Sequence, residues 1–321
     1  MTGLRILVAL FAVLALYGTP ASAQSQWPTR SVKFIVPFGP GAGADIGARL
    51  FAEKLSQRWG QPVVVENRPG GDSFIAITAF LGTDDDHTFL YIPSGNFTVH
   101  PFVHSKLPYD QNQLVPIARA SNTILAVALA KSSPYNTVRE FTEAARAAPG
   151  QFNSGLVTGL TEFTFWAYTH HEKLNIAQVP YRDINQAPND LAEGRIQVAM
   201  ASLAILQPQW RADRIKLIAV NNKERTDLVP GVPTAREQGY PSLVFEGLHG
   251  LIGRTTTPKD LKERIAADFR AAAADGSIGS RLAATGQVIN VGGPDEFAAA
   301  IEEQRAAVAA TVKAINFKPK N

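Results

Sequence analysis

The chain has 321 residues, 31 basic and 28 acidic side chains, a formal charge of +3 and no cysteine. A chain without cysteine has no disulfide framework, no thiolate zinc site and no cysteine nucleophile. The basic residues are dispersed and form no run that would follow a phosphate backbone, so nucleic acid is not an expected partner.

Residues 1–23 read as an export signal rather than as part of the fold. Arg5 lies in a short amino-terminal segment, Ile6 to Tyr17 is nearly all apolar, and Ala21-Ser22-Ala23 forms a small-residue cleavage site. The expected mature chain starts at Gln24, is exported, and is soluble, because no stretch approaches the ~20 apolar residues that span a bilayer. The roughly 300 residues that remain suit two domains.

Val32 to Phe38 has the apolar character of a buried strand. Gly39-Pro40-Gly41-Ala42-Gly43-Ala44 after it has almost no side chain to obstruct a ligand. Asp45 then fits an N-cap for a helix carrying Ile46, Leu50, Phe51, Leu55 and Trp59, which Gly60-Gln61-Pro62 stops. A second strand, Pro62 to Glu66, completes a βαβ unit with parallel strands and an anion-binding helix start at their carboxyl edge. Asn67 to Ser73 is a turn leading into a helix over Phe74 to Leu81, and Thr88 to Ile92 is a third strand that Pro93-Ser94-Gly95-Asn96 leaves at the same edge.

Ile124 to Ala130 is a buried strand placed to cross into a second domain. Thr137 starts a helix that Pro149-Gly150 ends. Phe152 to Val157, the small turn Thr158-Gly159-Leu160-Thr161 and a helix through Phe163, Trp166 and His170 then repeat the opening logic of strand, turn and helix. Strands are expected at 177–181, 197–204 and 215–220, with helical segments around Leu191 and from Pro208 to Ala212. Val232-Pro233-Thr234 opens a short helix ended at Gly239. Leu243 to Gly253 can cross back to the first domain, and the tail is helical from Pro258 and again from Pro294. This alternation is an α/β architecture whose ligands bind at the carboxyl ends of strands.

Other chemistries have weaker signals. Gly39-x-Gly41-x-x-Ala44 with Glu66 downstream satisfies a dinucleotide fingerprint, so an NAD-dependent oxidoreductase is one alternative. Export, the missing N–H of Pro40 and the charge of Asp45 oppose it. The acidic turn 83–87 lacks the spacing of a calcium loop. No nucleophile elbow occurs. His170-His171 point to different helix faces and His100/His104 span Pro101, so neither pair reads as a zinc site. No catalytic residue, metal or cofactor is expected.

The run Val36-Pro37-Phe38-Gly39-Pro40-Gly41-Ala42-Gly43-Ala44-Asp45-Ile46-Gly47-Ala48-Arg49 resembles the first-loop signature of the Bug (TctC-like) family of solute-binding proteins. Val64 to Gly70, Leu107-Pro108-Tyr109-Asp110, Val179-Pro180-Tyr181 with Asp190 to Gly194, and Val232-Pro233-Thr234 with Glu237 and Gly239 follow in the family's order. The resemblance implies a two-domain Venus flytrap of the type II-like kind. Its first domain would comprise residues 24–123 and 243–321 and its second 124–242, with hinges near Thr123-Ile124 and Leu243-Val244. It implies capture of a small organic carboxylate, mono- or dicarboxylate, aliphatic or aromatic. Delivery would be to the membrane subunits of a tripartite tricarboxylate transporter, by a monomer; a ligand sensor for a membrane signalling partner needs the same clamp. The implied ligand-binding residues are Phe38, Gly39, Gly41, Ala42, Gly43, Ala44, Asp45, Ser73, Ser94 and Asn96 in the first domain. In the second they are Thr158, Gly159, Thr161, Glu162, Tyr181, Arg182 and Asp183. Glu162, Arg182-Asp183 and Gly71-Asp72-Ser73 depart from the family pattern, so ligand specificity does not carry over.

Overall fold

The first apolar run becomes β1 (Val32–Val36), with all but one residue buried. The structure, a computed structural model, describes residues 27–156, 160–179, 181, 186–317 and 319; the signal segment lies outside them. β1 pairs in parallel with β2 (Val63–Asn67) and β3 (Thr88–Pro93). The connection from β1 to β2 is helix α1 (Gly43–Trp59), ended as expected by Gly60 in the left-handed conformation. Helix α2 (Phe74–Leu81) links β2 to β3, and two single-turn helices follow β3, α3 (Gly95–Thr98) and α4 (His100–Val103).

The chain then forms β4 (Leu114–Thr123) and crosses at Ile124 into β5 (Leu125–Ala130) of a different sheet. Next come α5 (Val138–Ala147), β6 (Phe152–Leu156), α6 (Leu160–His171) and β7 (Ile176–Val179). They are followed by α7 (Ala187–Ala192), β8 (Val198–Ser202), α8 (Leu203–Arg211) and β9 (Ile215–Val220). The return strand β10 (Gly247–Arg254) rejoins the first sheet, before α9 (Lys259–Ala273), α10 (Gly276–Ala284), β11 (Gln287–Gly292) and α11 (Pro294–Ala314).

The two sheets share one plan. The six-stranded sheet runs β11-β4-β10-β3-β1-β2 and the five-stranded sheet β7-β6-β8-β5-β9. In each, three parallel strands are followed by one antiparallel strand that has crossed over from the other sheet's part of the chain, β10 in the first and β5 in the second. The repeated strand-turn-helix logic of the sequence is this shared plan.

Helices cover both faces of both sheets. Phe51 of α1 stacks on Phe269 of α9 with ring centroids 4.8 Å apart beneath β1, and Phe80 and Phe297 pack against the opposite face with Ile35 and Ile92. In β5 the alternation is explicit: Val127 and Leu129 face the core of Phe141 and Tyr168, whereas Ala126 and Ala128 face that of Leu191 and Leu206. No helix among the described residues is long and apolar enough to cross a membrane.

Two asparagines tie the crossings together. The Asn222 side chain accepts from the Leu125 N–H at 3.1 Å and donates to the Thr123 carbonyl at 3.1 Å. Asn221 donates to the Leu243 carbonyl at 2.7 Å, and its own carbonyl accepts from Phe245.

Some elements differ from the sequence reading. Asp45 is not the N-cap: α1 begins two residues earlier, with Ala42 in the cap position and no side-chain cap bond. Residues 232–239 hold turns, not a helix, because Thr234 makes an isolated bridge to Val220 while Thr234 and Glu237 exchange bonds across one turn. The tail contains three helices and a strand. β4 and β11 carry too many polar residues to read as strands. Pro116 in β4 also breaks the pattern, and it sits beside a register shift opposite Ile252, where a missing N–H is tolerated.

Candidate functional site

Because β1, β2 and β3 are parallel, the loops that leave them converge on one edge of the first sheet. That edge gathers Phe38, Gly39, Gly41, Ala42, Gly43, Ala44 and Asp45 from the first loop, Ser73 from the second and Ser94 and Asn96 from the third. Phe38 is 37% exposed although large and apolar. Cβ atoms built at Gly39 or Gly41 would meet nothing within 4 Å, so the loop borders open space. The first helical bond is donated by Ile46 to the Ala42 carbonyl at 2.9 Å. The N–H groups of Gly43, Ala44 and Asp45 precede it and point out of the helix end.

Asp45 organises this loop from within. It is 2% exposed, and its carboxylate accepts from the Gly41 N–H at 2.9 Å, Arg49 Nε at 3.0 Å and Asn67 Nδ2 at 2.8 Å. Burial raises its pKa, but the bonds from Arg49, Asn67 and Gly41 outweigh this and hold it below the usual carboxylate range. The Gly41 N–H is therefore spent internally, and the donors left for an anion are those of Gly43 to Asp45. Asn67 Nδ2 also donates to the Phe38 carbonyl at 2.8 Å.

Sequence reasoning missed Gln287. This residue of β11 is fully buried and donates to the Gly43 carbonyl at 2.9 Å, accepts from Ser121 at 2.9 Å and lies 3.2 Å from His249 Nδ1. Nothing in the local sequence marks it, since its partners lie in three other elements.

The remaining first-lobe positions divide by their bonds. The buried Ser94 hydroxyl donates to Gln304 Oε1 at 2.8 Å, so it anchors the loop to α11. Asn96 Nδ2 is 3.4 Å from the His100 ring nitrogens. Ser73 is buried at the start of α2 with φ 70°, next to Asp72 with φ 54°. Asp72 meets His104 Nε2 at 2.8 Å, beside the buried His100. Burial pushes the His100 pKa down to about 4, with Asp72 opposing and His104 adding.

In the second lobe β6, β7 and β8 bring Thr161, Glu162 and Tyr181 to the corresponding edge. Thr158, Gly159, Arg182 and Asp183 lie outside the described residues. Thr161 is buried in the first turn of α6. The Tyr181 hydroxyl donates to Asp190 at 2.9 Å; burial first and this carboxylate second push its pKa up to about 12. A cavity of about 690 Å³ opens between the lobes, lined by Asp72, Val103 and His104 on one side and Glu162, Phe163 and Trp166 on the other. Phe163 also packs against Val99, Phe245 and Val308.

This architecture and these loops have counterparts among known proteins. The family model for the tripartite tricarboxylate transporter family receptor, TctC, matches residues 47–317. The chain belongs to this family. A UPF0065 protein of Bordetella bronchiseptica is 27% identical over 99% of this chain and 95% of its own length. A solved periplasmic transporter superposes with a TM-score of 0.80 at 28% identity, covering 91% of this chain and 99% of its own. Rpa4515 of R. palustris, solved with adipate, also gives 0.80, at 25% identity over 92% of this chain and all of its own. TctC proteins are transporter receptors, not enzymes, which removes the oxidoreductase alternative. The glycines of the dinucleotide-like fingerprint form the turn between β1 and α1.

Proposed function

We propose that this TctC-family receptor captures a small organic carboxylate in the periplasm and delivers it to the membrane subunits of a tripartite tricarboxylate transporter. The carboxylate is held between a first lobe of residues 24–123 and 243–321 and a second of 124–242, and the receptor acts as a monomer after cleavage at Ala23. The observation that carries this reading is the helix start of Gly43 to Asp45, whose N–H groups precede the first helical bond at a strand edge, next to Gly39 and Gly41, which border open space. The adipate in Rpa4515 favours an aliphatic dicarboxylate among the possible acids.

Closure is a hinge motion at the two crossings held by Asn221 and Asn222, with the solute bridging both loops. The test is calorimetric titration with adipate and with mono-, di- and tricarboxylates, for the parent and for Gly43→Asp. A Cβ at this position would lie 3.4 Å from Gln287 Nε2, the far end of a flexible side chain, and an acid at the first helical position suits the helix dipole. The fold therefore persists while charge fills the anion position, and carboxylate affinity falls at least 100-fold. Parent-like affinity in the variant sinks the site assignment.

A further inference from the structure

We propose that Asp72, His100 and His104 form a binding site for a divalent first-row transition ion, with Zn2+ as the reference ion, on the first-lobe wall of the cavity. One candidate ligand atom from each residue lies within 4.8 Å of the other two. His104 Nε2 is 2.8 Å from Asp72 Oδ2, and His100 Nε2 is 3.9 Å from Asp72 Oδ1, so each carboxylate oxygen faces one imidazole. Zinc bonds of about 2.0–2.1 Å in tetrahedral geometry separate neighbouring donors by about 3.3 Å, a spacing between those two distances.

The local fold aims the three groups. The His104 N–H donates to the His100 carbonyl at 3.1 Å, so the two histidines stand one turn apart and emerge on one side. Phe74 packs edge-on against both rings, with centroids 5.3 and 4.9 Å away. Asp72 comes from a turn in which Gly70, Gly71, Asp72 and Ser73 all have positive φ, a conformation that the two non-glycine residues adopt only at a local cost. A simple ion pair needs one histidine; here a second, buried imidazole is turned to the same carboxylate. Two imidazoles and one carboxylate are a donor set suited to zinc and leave a fourth position. Asp72 and His104 line the cavity, which gives that position access to water or to a solute oxygen.

The experiment uses untagged protein stripped with a chelator and titrated with zinc chloride in a buffer free of carboxylates. One ion per chain is expected. Asp72→Asn and His104→Gln, both at solvent-accessible side chains, should each weaken binding at least 100-fold without changing the circular dichroism spectrum. Cobalt in place of zinc should give tetrahedral visible absorption in the parent and none in His104→Gln. No zinc binding, or parent-like affinity in both variants, overturns the proposal. The titration contains no carboxylate, so its failure leaves the solute-binding reading standing.

Discussion

A single carboxylate, Asp45, decides the shape of the first loop. It joins the Gly41 N–H in the turn, Arg49 one helical turn on and Asn67 at the end of β2. Removing it deprives the Gly41 N–H, Arg49 Nε and the Asn67 amide of a charged acceptor, so Asp45→Ala should cost about 2 kcal/mol, measurable by urea unfolding, and should loosen the first loop. Its lowered pKa adds a sign: its contribution is complete above the unfolded value near 4 and is lost as pH falls through the lower folded value. The turn itself was legible, because its glycines and the apolar period of the following helix are local signals. The bonding was not legible. Asp45 has the composition of an N-cap, and only the position of Asn67 on the neighbouring strand explains why it turns inward instead.

Among the elements, β10 shows what close packing demands. A Cβ on Gly250 would come 2.4 Å from the Ala118 carbonyl of β4 and 2.4 Å from the Phe297 ring of α11. Gly250→Ala should therefore destabilise by about 3 kcal/mol or more through overpacking, whereas Gly276→Ala, at the open start of α10, should change stability by less than about 1 kcal/mol. Urea midpoints for the two variants provide the comparison. Elements with a strong apolar period or clean punctuation, such as β1, α2 and β5, were readable within two residues, and α1 within three. β4 and β11 were not, because Arg119 and Asn122 in β4 and Asn290 in β11 break the apolar strand pattern. Arg119 donates to the Asn290 carbonyl across the sheet.

At the scale of the molecule, the two lobes meet where the chain crosses between the sheets at β4, β5 and β10, and the buried His249 sits beside that junction near Thr123 and Gln287. Burial holds its pKa down to about 4, with the Gln287 contact opposing. A depressed histidine contributes stability that is complete above the unfolded value near 6.5 and declines as pH falls towards 4. The loss amounts to about 3 kcal/mol, and the similarly depressed His100 adds to it. Melting temperature should fall between pH 7 and 4.5, and His249→Gln should flatten that slope; an unchanged slope would remove His249 as its source. The sequence by itself determined the α/β class, the glycine-rich turn between β1 and α1 and the family, because these depend on local periodicity, turn chemistry and ordered motifs. Only the tertiary structure decided that Gln287 supports the first loop, that Asn221 and Asn222 fasten both crossings, and that His100 and His104 meet Asp72. Each of these contacts joins residues distant in sequence, and neither periodicity nor spacing records which distant elements pack together.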